Sequence, residues 1–274
     1  MNQPEKLLQQ YFGHASFRTG QKQAIDAILS GRDVLAVMPT GAGKSVCYQI
    51  SALLLRGVTI VISPLISLMK DQVGTLNQAG IHAAFLNSSL TQGQYHTALK
   101  YAMQGRYKII YVAPERLETE GFINFALNSG VKISMLAVDE AHCVSQWGQD
   151  FRPSYLKILE FLKKLPYRPV LTAYTATATE EVRDDIMDIL NLRDPFVLTT
   201  GFDRENLYYA VKRPRDKYRE LLSYLKEKEE KMRTLLLRQQ INPHFVFNSL
   251  TTIKDMYHKD LKSGDETLNL FAKY

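Results

Sequence analysis

Through its first 211 residues the chain alternates short apolar, β-branched runs with longer amphipathic stretches. The runs DVLAVM (33–38), VTIVIS (58–63), HAAFL (82–86), KIIYV (108–112), SMLAVD (134–139), PVLTAY (169–174) and FVLT (196–199) predict strands. Most are continuously apolar rather than alternating, as expected where helices cover both faces of a parallel sheet. Helical stretches at 44–55, 65–79, 91–104, 154–164 and 179–190 separate them. This order specifies an α/β fold with a mainly parallel sheet. In open sheets of that kind, ligands collect at the carboxyl ends of the strands.

After LYYAV (207–211) the texture changes. Residues 216–240 are rich in Lys, Glu, Arg, Leu and Gln and predict a long polar helix. Pro243 interrupts it, a second helical stretch follows from about Phe245 to His258, and Ser263-Gly264 marks a turn before the apolar-periodic LNLFAKY. The chain therefore divides into an α/β domain over 1–211, a helical linker over 212–230 and a helical C-terminal tail over 231–274.

Composition narrows the class without deciding the function. With 45% hydrophobic and 23% charged residues the chain can bury a real core. No run approaches the ~20 apolar residues of a membrane span, and MNQPEKLLQQYF lacks a signal-peptide layout. Two cysteines, Cys47 and Cys143, cannot build a disulfide framework or a four-thiolate zinc site. A cytoplasmic protein with no membrane partner is the expectation. From Lys212 onward there are 14 Lys and Arg against 9 Asp and Glu, whereas the first 211 residues balance 20 against 19. A nucleic-acid site in the front part must therefore be read from motifs rather than from net charge.

Two motifs carry chemistry. Strand DVLAVM runs into Pro39-Thr40-Gly41-Ala42-Gly43-Lys44-Ser45 and then a helix. Glycines let the backbone wrap phosphate oxygens, and the helix amino terminus adds its positive end. Lys44 would reach the β- and γ-phosphates of ATP, and the Ser45 hydroxyl would ligate Mg²⁺. The strict phosphate-loop pattern wants Gly where this chain has Met38. The second motif, Asp139-Glu140-Ala141-His142, closes strand SMLAV. Asp139 would hold Mg²⁺ and Glu140 would orient and deprotonate the attacking water. Alone, this acidic pair could equally be a helix cap beside a surface histidine; the phosphate loop 95 residues upstream favours hydrolysis.

With these residues in view, the sequence resembles the RecQ family of superfamily 2 DNA helicases. The likeness runs from about Leu7 to Tyr224 through FRTGQKQAI (17–25), MPTGAGKSVCYQ (38–49), SPLISLMKDQV (63–73), APERL (113–117), DEAHCVSQWGQDFRPSY (139–155), TAYTATAT (172–179) and GFDRENL (201–207). It implies a RecA-like P-loop NTPase domain using ATP and Mg²⁺, with single-stranded or partly duplex DNA as partner, in 3′–5′ unwinding for repair and recombination. By resemblance Gln21 reads the adenine edge with Arg18 beside it, and His14 stacks on the ring where many relatives have tyrosine. Thr40, Gly41 and Gly43 belong to the nucleotide site, and His142 joins Lys44, Asp139 and Glu140 in the catalytic set.

The segment 143–153 resembles the family's aromatic-rich loop, with Trp147, Phe151 and Arg152 as DNA contacts. Aromatic faces stack on bases without sequence preference, and arginine adds phosphate or cation–π contacts. Outside that resemblance, a lone tryptophan is more often a core residue. Ser63 to Lys70 and Pro114 to Arg116 are expected to line the strand track, and Thr175 to Thr177 to couple nucleotide to DNA.

A RecQ-like motor also uses a second α/β lobe that supplies an arginine to the nucleotide. After Glu230 only 44 residues remain, against the order of 100 or more in a typical domain. The expectation is weak hydrolysis and no unwinding by this chain alone. The segment LRQQINPHFVFNSL (237–250) instead resembles the phospho-accepting box of LytS/YesM-type sensor histidine kinases, with His244 at the phosphoacceptor position. That resemblance covers about 231–274 and implies a dimerising helical region able to self-associate. Two further readings stand beside the helicase: phosphotransfer signalling through His244, and a join of two unrelated gene fragments near 229–232.

Overall fold

In the computed structural model the described residues are 3–147, 150–201 and 213–239, together with Lys254, Gly264 and Asp265. The chain divides into two compact units, Met1–Asp203 and Arg204–Tyr274.

The first unit is a seven-stranded sheet with helices on both faces. Its strands are β1 (Val34–Val37), β2 (Val58–Ile62), β3 (Ala83–Leu86), β4 (Ile109–Val112), β5 (Ile133–Val138), β6 (Val170–Thr175) and β7 (Phe196–Thr199). They lie in the order β3-β4-β2-β5-β6-β1-β7, and every pairing is parallel. The fold class read from the sequence is the one observed.

The helices are α1 (Gln3–Phe12), α2 (Gln21–Leu29), α3 (Lys44–Leu54), α4 (Ile66–Gln78), α5 (Gln92–Met103), α6 (Glu120–Asn128), α7 (Lys157–Lys164) and α8 (Glu180–Ile189). Successive strand residues point to opposite faces, so two cores form. Leu35, Ile60, Ile110, Leu136 and Leu171 join one with Phe122, Phe161 and Ile186. Val34, Val61, Ile109, Met135 and Tyr174 join the other with Ile25, Tyr48 and Met69. Both faces being covered, the strands need apolar residues at every position, which explains their continuous runs. At the edge, β7 is only partly buried.

Helix α3, which follows the phosphate loop, is anchored through polar as well as apolar contacts. The Tyr48 ring meets Tyr174 edge-on, with centroids 5.3 Å apart. Gln49, 3% exposed, donates to Tyr111 Oη at 2.9 Å and to Gln72 Oε1 at 2.8 Å. At the opposite end of the sheet, Asp33 is 2% exposed and takes a bidentate pair from Arg168 at 3.0 and 2.6 Å. Its carboxylate also accepts the N–H groups of Leu171 at 2.9 Å and Arg193 at 2.8 Å. A buried carboxylate satisfied four ways ties β1, β6 and the segment before β7 together.

The stretch 154–164, expected as one helix, is a 3-10 turn at Pro153–Leu156 followed by α7. Pro153 opens the turn, at a first position where its missing N–H costs nothing. In the second unit, α9 (Lys217–Gln239) occupies the segment expected to form the long polar helix. Asp216 Oδ1 accepts Arg219 N–H at its start, at 3.0 Å. Among the described residues no helix is long and apolar enough to cross a membrane. The LYYAV run, His244, the helix expected over 245–258 and the LNLFAKY segment lie outside the described residues.

Candidate nucleotide and nucleic-acid site

The phosphate loop begins where β1 ends. Met38 N–H donates to Thr175 O at 3.0 Å, which carries the β1–β6 pairing one residue further. The chain then turns through Gly41 and Gly43, whose φ values of 81° and 84° suit glycine alone. A Cβ at Gly43 would lie 2.3 Å from Gln21 Nε2. Lys44 opens α3, and its ammonium is drawn back over the loop to Met38 O at 3.1 Å. Ser45 follows in the helix's first turn, where backbone N–H groups have no partner within the helix.

Arg18 and Gln21 meet this loop from the start of α2. Gln21 is 3% exposed, and its Nε2 donates to Ala42 O and Gly43 O, both at 3.1 Å. Its Oε1 accepts Arg18 N–H at 2.8 Å, and the Arg18 guanidinium donates to Gly41 O. Gln21 therefore braces the phosphate loop from beneath. For Nε2 to donate to an adenine edge one of its two bonds must be exchanged, whereas Oε1 keeps a second lone pair. Thr40 is exposed on the loop, and His14 is exposed in the segment after α1.

The carboxylates arrive on β5. Asp139 is 6% exposed; its N–H donates to Ile62 O at 2.8 Å and its carbonyl accepts Tyr155 Oη–H at 3.0 Å. Burial, reinforced by the neighbouring Glu140, pushes its pKa up to about 6, while Lys44 pulls the other way. Glu140 adopts φ 48° and ψ 49°, a left-handed conformation uncommon outside glycine. That residue turns the chain sharply from the strand into a 3-10 segment, Ala141–Val144.

Here two motifs converge. His142 Nδ1 lies 3.4 Å from Glu140 Oε2 and 3.0 Å from Thr175 Oγ1. Thr175 in turn donates to Thr177 O at 3.0 Å.

The residues present suit Mg²⁺–ATP. Gly41 and Gly43 hold the loop in left-handed backbone, and a Cβ at Gly43 would collide with the Gln21 amide that braces it. A desolvated carboxylate feels the charge of Lys44, and a cation beside it would relieve the same desolvation. Ser45 and Asp139 supply the oxygen donors a hard cation prefers. Among the described residues no group of three or more His, Cys, Asp or Glu forms a metal cage.

Trp147 is 76% exposed, so it is not a core tryptophan. Its N–H donates to Ser145 Oγ at 3.1 Å, and Ser145 donates to Asp185 Oδ2 at 2.7 Å. Arg152 is held by Asp150 Oδ2, at 3.1 Å through Nε and 2.7 Å through Nη2, and its own N–H donates to Cys143 O at 2.9 Å. Phe151 is half-buried between them, and Gly148 and Gln149 lie outside the described residues. Asp185 and Tyr155 were missed in the sequence because each acts through a single polar contact with a distant segment.

Comparison with known proteins places the chain among helicases. The DEAD/DEAH box helicase family matches residues 18–185, and the histidine kinase family matches residues 232–274. Over 226 residues the chain is 46% identical to the ATP-dependent DNA helicase RecQ of Bacillus subtilis (strain 168), covering 82% of this chain and 38% of that protein. The probable ATP-dependent DNA helicase RecS of the same organism is 37% identical, over 98% of this chain and 54% of that protein. The chain thus spans well under two thirds of either helicase. Among solved structures, a hypothetical ATP-dependent RNA helicase from Sulfolobus tokodaii aligns with a TM-score of 0.56 at 20% identity, over 73% of this chain and 57% of that one. At that identity the likeness concerns the fold. The chain belongs to the DEAD/DEAH box helicase family, and its α/β unit is a RecQ-like N-terminal helicase lobe.

Proposed function

We propose that this chain binds Mg²⁺–ATP and single-stranded or partly duplex DNA as the ATP-binding lobe of a RecQ-like 3′–5′ DNA helicase, acting in the cytoplasm in repair or recombination. The observation that carries this reading is the contact of His142 with Thr175 beside Glu140, on a segment that continues to the exposed Trp147. A nucleotide site and a base-stacking platform then share one stretch of backbone.

In this reading Lys44 and the amino end of α3 bind the phosphates, with Gln21 and Arg18 holding the loop and His14 beside the base. Ser45 and Asp139 would hold Mg²⁺, which when bound neutralises charge on the β- and γ-phosphate oxygens. Glu140 orients the attacking water and accepts its proton. His142 and Thr175 keep that carboxylate in register with the 145–152 loop, where Trp147 and Phe151 stack on bases and Arg152 contacts the strand.

Hydrolysis by these 274 residues is expected to be slow. An arginine contributed by a second lobe is worth about 10³–10⁵ in rate in related nucleotide hydrolases. ATP binding and turnover by the purified chain, with and without single-stranded DNA, tests the proposal beside a Lys44→Ala control. Lys44-dependent nucleotide binding with little turnover is the expected result. Nucleotide binding that survives Lys44→Ala would refute the site.

The match over 232–274 favours a second reading for the tail, phosphotransfer. His244 would attack the γ-phosphorus of ATP, forming an N–P bond and releasing ADP. Acid-labile label on the chain after incubation with γ-labelled ATP, lost in His244→Ala, would support it. Self-association through the tail helices would appear as a concentration-dependent mass in sedimentation.

A further inference from the structure

We propose that Asp185, on α8, is a positioning residue for Trp147, setting the tryptophan of the DNA-contacting loop through the hydroxyl of Ser145. The inference rests on the reading of residues 145–152 as that loop. Ser145 is fully buried, and its Oγ donates to Asp185 Oδ2 at 2.7 Å. A hydrogen bond to a carboxylate is short and strong, so it fixes the hydroxyl rotor. A serine hydroxyl has one proton; once that is given to Asp185, its oxygen can only accept. Trp147 N–H occupies that acceptor at 3.1 Å. Carboxylate, hydroxyl and amide thus form a relay with a single polarity.

The indole at the end of this relay is 76% exposed. Apolar packing would draw a tryptophan inward; here the backbone is held and the ring is presented. The supporting helix is firmly placed. Val182 and Ile186 flank Asp185 along α8 and pack in one core with Ala141, Cys143 and Val144. The N-cap of α8, Thr179, accepts Val182 N–H at 3.3 Å and lies two residues beyond Thr177, whose carbonyl receives the Thr175 proton. The segment 142–147 is therefore held at both ends by one stretch of chain: His142 at Thr175, and Ser145 at Asp185. A base that displaces Trp147 pulls on a short, tethered backbone whose other end lies beside Glu140. Asp185 touches neither nucleotide nor strand, yet it sets where the ring meets the strand.

Trp147 is the sole tryptophan in the sequence, so its emission reports on this loop in the full chain. Asp185→Ala and Ser145→Ala are each expected to lower the steady-state anisotropy of that emission. Both should weaken binding of a labelled oligothymidylate about tenfold, the scale of one lost charge-assisted hydrogen bond. Affinity for a fluorescent ATP analogue should not change. Asp185→Asn keeps an oxygen acceptor and is expected to restore most of both signals. Unchanged anisotropy and oligonucleotide affinity in the two alanine variants would overturn the proposal. So would an asparagine variant as impaired as alanine, or loss of cooperative unfolding in both alanine variants, which would make Asp185 a bolt for the fold. If the parent chain fails to bind oligothymidylate while the alanine variants still loosen the indole, the DNA reading falls and the anchor stands.

Discussion

His142 and Thr175 meet side chain to side chain, Nδ1 to Oγ1 at 3.0 Å, although 33 residues separate them. The direction of that bond follows from its neighbour. Thr175 gives its proton to Thr177 O at 3.0 Å, so its oxygen must accept and the imidazole must carry its proton on Nδ1. The turn after β5 and the end of β6 are thereby joined by a bond with a defined sense, two residues from Glu140.

Thr175→Val removes both halves of this link, leaving the Thr177 carbonyl without its hydroxyl donor and the half-buried His142 Nδ1 with Glu140 Oε2 alone, at 3.4 Å. A loss of about 1–3 kcal/mol in stability is expected, measured by urea unfolding. Lys44-dependent nucleotide binding should persist. A variant as stable as the parent would mean that His142 and Thr175 are not joined in solution.

Asp139 has the opposite linkage to most carboxylates. Its pKa rises from the ordinary 3.8 to about 6 through burial and the nearby Glu140. Between those values the folded chain holds a proton that the unfolded chain has released, so stability falls as pH rises through that window. Above about pH 6 the full cost is present, up to about 3 kcal/mol. Asp139→Asn should therefore raise stability at pH 7 and change it little near pH 4, as read by thermal unfolding at both values. Equal gains at both would exclude ionisation as the source. Because only the carboxylate binds a cation, Mg²⁺-dependent nucleotide affinity should strengthen as pH rises through about 6.

Trp147 contributes little to the core at 76% exposure, so its removal should be felt by ligand rather than by fold. Trp147→Ala is expected to weaken single-strand binding by about 1–3 kcal/mol, the worth of one base stacked on an aromatic ring. ATP affinity and unfolding midpoint should stay close to the parent. Equal loss of both ligands would show that the ring supports the lobe as a whole.

Buried Asp33 and half-buried Arg168 form a pair whose charges also hold three backbone groups: Arg168 Nη2 donates to Asn191 O at 2.9 Å, while Asp33 accepts from Leu171 and Arg193. Arg168→Ala leaves that carboxylate buried without its partner. A destabilisation of about 3–5 kcal/mol is expected, measured by chemical denaturation. A shift below about 1 kcal/mol would show that the pair is dispensable.

What could be read from the sequence divides along physical lines. Strands such as VTIVIS and KIIYV were legible because covering a parallel sheet on both faces demands uninterrupted apolar residues. The glycine cradle was legible too, since Gly41 and Gly43 sit where left-handed backbone leads into a helix. The strand order was not, because pairing in a parallel sheet joins segments that local pattern does not connect. For Gln21 nothing in the sequence pointed to the bonds its amide hydrogens make to Ala42 O and Gly43 O, which join residues more than 20 apart. Asp185 left no signal at all. On α8 it is one of several acidic residues, and only the tertiary fold distinguishes it by bringing Ser145 within 2.7 Å.

The placement of β1 between β6 and β7 has a consequence for how the lobe is born. Val34 pairs with Thr172 on one side and Phe196 on the other. During vectorial synthesis the first strand to emerge is thus the one whose neighbours emerge last. Long-range pairings of this kind form slowly, because the intervening loop must close before any contact rewards it. The phosphate loop follows directly from β1, and its own first bond, Met38 N–H to Thr175 O, waits on the same event. The loop can therefore take its finished form only after β6 and β7 have been made, and until then a strand with all four residues apolar and buried in the finished fold must be kept from pairing elsewhere.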